Sequence, residues 1–127
     1  MGRVESREEL FKLVFEYCMS KEENEFSLNE ALSSPTVDGE YVSACYHGII
    51  EKYDEIVAQI DQVSKGYNKD RIYKVDLALL VMAIYEIKYV SEIPPKVSIN
   101  EVLNLSKKYS TEKSAGFING ILANFTK

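Results

Sequence analysis

The chain has 127 residues, 46% of them hydrophobic and 28% charged, which suits one ordinary globular domain spanning 1–127 and excludes a disordered or fibrous chain. A formal charge of −5 argues against nucleic-acid binding by bulk electrostatics, because phosphate neutralisation needs a basic surface. No apolar run approaches the roughly 18 residues of a membrane span, and the charged start MGRVESREEL is unlike a signal peptide, so the expectation is a cytoplasmic protein with no membrane partner.

In chain order, Ser6 and Glu9 have capping-box spacing, and Leu10, Leu13, Val14 and Tyr17 follow at i, i+3, i+4 and i+7. This predicts a first helix ending near Ser20. Phe11, Phe15 and Cys18 widen its apolar surface beyond one stripe, which calls for deep burial or a partner. A polar loop from Lys21 to Glu25 precedes Ser27 and Glu30, a second capping-box spacing, and Ser34-Pro35 stops the short helix after it. From Asp38, the positions Val42, Tyr46, Ile49, Tyr53, Ile56, Ile60 and Val63 alternate steps of four and three, so one long helix is expected, closed by the turn Lys65-Gly66-Tyr67-Asn68.

Helix resumes from Asp70. Ile72, Val75, Leu79, Leu80, Met82, Ala83, Ile84 and Ile87 are apolar on more than one side, the pattern of a central helix with neighbours all round. Pro94-Pro95 ends that region and can begin the next helix. Val97, Ile99, Val102, Leu103, Leu105 and Tyr109 then form a stripe, with Ser98 and Glu101 at capping-box spacing. A last helix carries Phe117, Ile118, Ile121, Leu122 and Phe125 after a cap at Ser114. No strand pattern and no internal repeat interrupt this series, so the fold class is all-α, a compact bundle of six or seven helices.

Catalytic and metal chemistry find little support in the residues. His47 is the single histidine, and the nearest carboxylate at helical spacing is Glu51, which does not assemble the three or four ligands of a zinc site. Cys18 and Cys45 lie at apolar positions without a Cys or His companion and read as buried reduced thiols. The pairs Glu8-Glu9 and Glu22-Glu23 sit in solvent-facing stretches, and no glycine-rich phosphate loop follows a strand. The expectation is a protein that is not an enzyme and uses no cofactor or metal. Charge is unevenly spread: residues 96–127 hold five Lys against two Glu, a local +3, so the rest of the chain carries −8.

The stretch from Ile93 to Leu122 also carries a resemblance. Ile93-Pro94, Val97, Ile99-Asn100-Glu101, Leu105, Lys107-Lys108-Tyr109, Ser114 and Phe117-Ile118-Asn119-Gly120-Ile121-Leu122 resemble, in order and spacing, the C-terminal signature of the NusB family. Arg7-Glu8, Arg71 ahead of Val75-Asp76, and Ala83-Ile84-Tyr85-Glu86 are similar to the family pattern as well. The resemblance implies two three-helix subdomains and a role in transcription antitermination. It implies binding of the boxA element of single-stranded RNA as a heterodimer with the ribosomal protein NusE, within an antitermination complex on RNA polymerase.

Carried onto this sequence, the resemblance places Arg3, Arg7, Lys113, Phe117 and Asn119 on the RNA and Phe15, Met19 and Asp76 on NusE. Arg3 and Arg7 are one helical turn apart, but within residues 1–12 Glu5, Glu8 and Glu9 cancel Arg3, Arg7 and Lys12. That cancellation motivates an alternative, a divergent protein–protein adaptor or homodimer without RNA binding. Asn119-Gly120 reads either as a close approach to RNA or as a tight packing contact. Tyr67 stands where relatives carry Trp and reads as structural, and Val81 replaces an Arg common in the family pattern.

Overall fold

The computed structural model describes residues 3–64 and 72–126. Among them it has six α-helices and no strand: α1 (Arg3–Ser20), α2 (Glu25–Leu32), α3 (Gly39–Val63), α4 (Lys74–Tyr89), α5 (Pro95–Tyr109) and α6 (Ser114–Leu122), with a final 3₁₀ turn at Ala123–Phe125. The all-helical class is as expected. The turn containing Gly66 and Tyr67, and with it Arg71, lies outside the described residues.

α4 is the axis of the molecule. Every residue from Asp76 to Ile84 is buried, and the helix packs against α1, α3, α5 and α6. The unbroken apolar run Leu77–Ile84 has no polar face to offer water, so only a position with neighbours all round satisfies it. Val81 is fully buried in this core, which gives it a packing role and no surface one. The helices group as α1–α3 and α4–α6, but α4 packs against the first group at least as extensively as against its own, so one core runs through both.

The helix starts differ from the expected ones in a consistent way. α1 begins three residues before Ser6, whose buried hydroxyl accepts the Asp38 N–H at 2.8 Å and ties α1 to the start of α3. Asn24, not Ser27, caps α2, with its side chain accepting from the Ser27 N–H; the Ser27 hydroxyl instead donates to Glu16 at 3.0 Å. α5 starts at Pro95, whose fixed φ suits a first helical position, and Ser98 lies inside it, donating to Glu86 at 2.7 Å. Ser114 is the first residue of α6, not its cap, and donates to Asp76 at 2.9 Å. Asp38 does cap α3, accepting from the Tyr41 N–H.

Gly48 explains how closely α3 meets α4. A Cβ at this position would lie 2.0 Å from Tyr85 Oη and 2.5 Å from its Cζ. A helical Gly→Ala change ordinarily stabilises by roughly 1 kcal/mol. Gly48→Ala is expected to destabilise instead, by about 1–3 kcal/mol, because the Tyr85 ring must leave its place. Thermal denaturation checks this, and the sign should reverse in a Tyr85→Leu background, where the ring is gone.

Candidate nucleic-acid interface

The first turn of α4 and the α5–α6 turn are locked together by Asp76. Its carboxylate is buried and accepts from the hydroxyls of Ser110 at 2.6 Å and Ser114 at 2.9 Å, and Ser110 and Ser114 also bond each other at 2.7 Å. This network sets where α6 begins. Lys113 occupies the N-cap position and makes no capping bond through its side chain, so the amides at the start of α6 lack a side-chain acceptor. Phe117 stands one turn further on, half-buried against the core.

Between these elements lies a cavity of about 270 Å³, lined by Tyr73, Asp76, Thr111, Lys113 and Phe117 among others. Tyr73, the residue before α4, is 54% exposed. The site therefore combines two aromatic side chains, a lysine and an uncapped helix start around one opening. Chemically it offers stacking faces to a planar ring, and a positive end for an anion.

Two of three lysines nearby are available to an anion. Lys107 and Lys113 are exposed and make no ion pair among the described residues, whereas Lys108 pairs with Glu8 at 2.5 Å. Tyr109 also donates to Glu8, and these two hydrogen bonds hold the Glu8 carboxyl below its ordinary pKa.

Arg7 has a different environment from the one expected. It is 4% exposed and holds Glu86 in a bidentate pair, through Nε at 3.0 Å and Nη2 at 3.1 Å. Tyr41 Oη and Ser98 Oγ donate to the same carboxylate, so Glu86 joins α1, α3, α4 and α5 at one buried point. Burial opposes the Arg7 charge, yet the hydrogen bonds and charge of Glu86 outweigh it and raise the pKa further. Burial foremost, then the Glu86 charge, also raises the pKa of Tyr41. A guanidinium so engaged is held in the core by Glu86, which gives Arg7 a structural role in this fold where the sequence led one to expect an exposed cation.

The other predicted residues divide by position. Arg3 is partly exposed, stacked over the Tyr41 ring at 4.4 Å and 3.7 Å from Asp38. It shares a cavity with Tyr89 and Val90 at the far end of α4 from Tyr73, roughly 20 Å away at about 1.5 Å per helical residue. Lys113 and Phe117 share the cavity; Arg3 is not brought to it. Asn119 is exposed on α6, and a Cβ at Gly116 or Gly120 would meet nothing within 4 Å, which removes a tight packing contact as the reason for the Asn-Gly pair.

On the expected partner side, Met19 is 60% exposed and Phe15 is half-buried with its ring 6.2 Å from Phe11. Asp76 is not an exposed carboxylate: its oxygens hold Ser110 and Ser114, and it reaches the surface only through the cavity. Two residues escaped the sequence reading. Tyr73 was expected inside a helix running from Asp70, and only its place off the Ile72, Val75, Leu79 stripe hinted at exposure. Glu86 was visible as part of a pattern but not as the partner of Arg7, because 79 residues separate them. Cys18 and Cys45 are buried thiols, and burial pushes Cys45 up to about 12.

Comparison with known proteins agrees with this fold. The NusB family pattern matches residues 4–127. The transcription antitermination protein NusB of Agathobacter rectalis is 42% identical over 98% of this chain and 99% of its own length. The protein of the same name from Acetivibrio thermocellus is 41% identical, covering all of this chain and 90% of that one. A solved structure of T. maritima NusB superposes with a TM-score of 0.90 at 31% identity, over 99% of this chain and 91% of that chain. With the fold, the matched length and the identities in accord, this chain belongs to the NusB family.

Proposed function

We propose that this protein is a transcription antitermination factor that binds boxA-type single-stranded RNA as a heterodimer with the ribosomal protein NusE, and enters an antitermination complex on RNA polymerase through that pair. It works by binding alone, without catalysis or cofactor. The observation that carries this reading is the cavity at the start of α6, where Tyr73 and Phe117 flank an opening edged by Lys113. Unpaired bases bind proteins by stacking on aromatic faces while cations and helix N-termini hold the phosphates. Asn119, exposed one turn after Ala115, adds an amide able to hydrogen-bond a base edge.

Charge supplies only part of the affinity. Lys107, Lys113 and Arg3 make about three phosphate contacts, for which a single strand gives a salt slope near −2. Stacking and the partner must supply the rest, and joining two modest surfaces raises affinity through effective concentration. Phe15 and Met19 on α1 provide apolar area for NusE.

Burial of Arg7 favours the alternative, an adaptor or homodimer that binds protein but no RNA, because it removes one of two expected N-terminal cations. A fluorescence-anisotropy titration of labelled boxA-type RNA and a scrambled control, with and without NusE, separates the two. Selective binding that tightens at least tenfold with NusE is the expected result. NusE capture with no RNA selectivity in any mixture would leave the adaptor reading standing.

A further inference from the structure

We infer that Asp76 reads one base of the bound RNA, accepting hydrogen bonds from the Watson–Crick edge of a guanine held in the cavity between Tyr73 and Phe117. This deepens the RNA-binding reading above and rests on it. Aromatic faces stack on any base, so Tyr73 and Phe117 supply affinity without choosing a sequence. Asp76 is the one acidic group among the residues lining the cavity. A carboxylate close to a phosphate-binding lysine weakens the hold on the RNA backbone, and a base that offers donors to it offsets that cost.

The hydrogen-bond network around Asp76 is one proton short. Ser110 Oγ lies 2.6 Å from Oδ1 and Ser114 Oγ 2.9 Å from Oδ2, while Ser114 Oγ is also 2.7 Å from Ser110 Oγ and 3.0 Å from Thr111 Oγ1. Three hydroxyls bring three protons to these four contacts, so one contact always lacks its hydrogen. When Ser110 and Ser114 both donate to the carboxylate, their own oxygens face each other unbridged. When Ser110 turns to Ser114, Oδ1 loses its donor. A donor entering from the cavity removes the conflict, because Ser110 can then bond Ser114 while Oδ1 stays satisfied. An ionised carboxylate has about four acceptor positions, and the two serines leave about half of them open.

Guanine suits this acceptor best among the four bases. Its N1–H and N2 amino group are adjacent donors that can meet both carboxylate oxygens. Adenine and cytosine place one amino group beside a ring-nitrogen acceptor, and uracil sets one N–H between two carbonyls, so each turns a repelled acceptor toward Asp76. The cavity of about 270 Å³ takes a single base, with Ile72 in its wall and Lys113 at hand for the adjoining phosphate. Burial of Asp76 strengthens the pairing, since hydrogen bonds to a charged group gain where water is excluded.

Anisotropy titration of the heterodimer with boxA-type strands carrying each of the four bases at one position in turn tests the inference. One position is expected at which guanine binds about 5- to 150-fold more tightly than the other bases. Inosine at that position, which lacks only the N2 amino group, should lose at least about fivefold. In Asp76→Asn the preference for guanine should shrink to about twofold or less, while NusE binding measured without RNA stays at the parent value. An Asp76 that merely holds the turn would weaken every strand alike and keep the preference, which overturns the inference. Loss of NusE binding with the preference intact also overturns it and returns Asp76 to the partner surface. The parent protein alone decides the matter if the variant fails to fold: no position that prefers guanine, or inosine binding as well as guanine, overturns the inference too. Weaker RNA binding by Phe117→Ala and Tyr73→Ala without any guanine preference would leave the stacking site standing and remove this inference by itself, whereas no selective RNA binding at all would remove both.

Discussion

Glu86→Ala is expected to lower stability by about 3–5 kcal/mol, the cost of leaving a buried charge without its partner. The carboxylate is 1% exposed, and its removal strands the Arg7 guanidinium together with the hydroxyls of Tyr41 and Ser98. Domains of this kind unfold with about 5–15 kcal/mol in total, so the variant loses a large share, and its melting temperature should fall by roughly 10 °C or more. Arg7→Ala should be nearly as severe. An apolar replacement of the pair, Arg7→Met with Glu86→Leu, should recover part of the loss, since no charge then remains buried.

Urea denaturation of the three variants measures the effect, and RNA binding by Arg7→Ala gives it a functional edge. If Arg7 serves only the fold, boxA affinity per folded molecule stays at the parent value at low temperature. A variant of parental stability that had lost RNA binding would return Arg7 to the nucleic-acid surface.

Phe117→Ala should weaken boxA binding by the heterodimer by about 1–3 kcal/mol, the range for losing one base–aromatic stack. In the titration this is a rise in Kd of about 5- to 150-fold. Phe117→Tyr keeps the ring and should bind within a few-fold of the parent. Because Phe117 is half-buried against the core, circular dichroism must accompany the measurement, and Tyr73→Ala provides an exposed companion with a smaller structural cost. Lys113→Ala should instead act through charge, reducing the salt slope by about 0.7 with little change at high salt. Unaltered affinity in Phe117→Ala and Tyr73→Ala together would remove the stacking site from the proposal.

The serines show how sequence and structure divide. Ser6, Ser27 and Ser98 each precede a glutamate by three residues, and by local chemistry each is a helix cap. All three lie inside their helices or past the true cap, and their hydroxyls reach other segments: the Asp38 amide, Glu16 and Glu86. Ser114 does the same with Asp76. A hydroxyl satisfies a local or a distant partner equally well, so spacing identifies a polar serine at a helix start without saying what it bonds. The same limit hid the roles of Arg7 and Asp76, whose charges were read as exposed and are instead buried by partners 79 and 34 or more residues away.

The sequence by itself determined the all-helical class, the order of the helices and the central place of α4, because apolar periodicity is a local property and Leu77–Ile84 leaves no polar face to expose. It also carried the family resemblance that the comparisons sustain, through an ordered series of residues along the chain. Tertiary structure alone decided which charged groups remain available. Burial and pairing depend on what the fold brings opposite each side chain, and that is how Arg7 joined the core, Tyr73 came to flank Phe117, and Glu23 and Glu25 came to pair with His47.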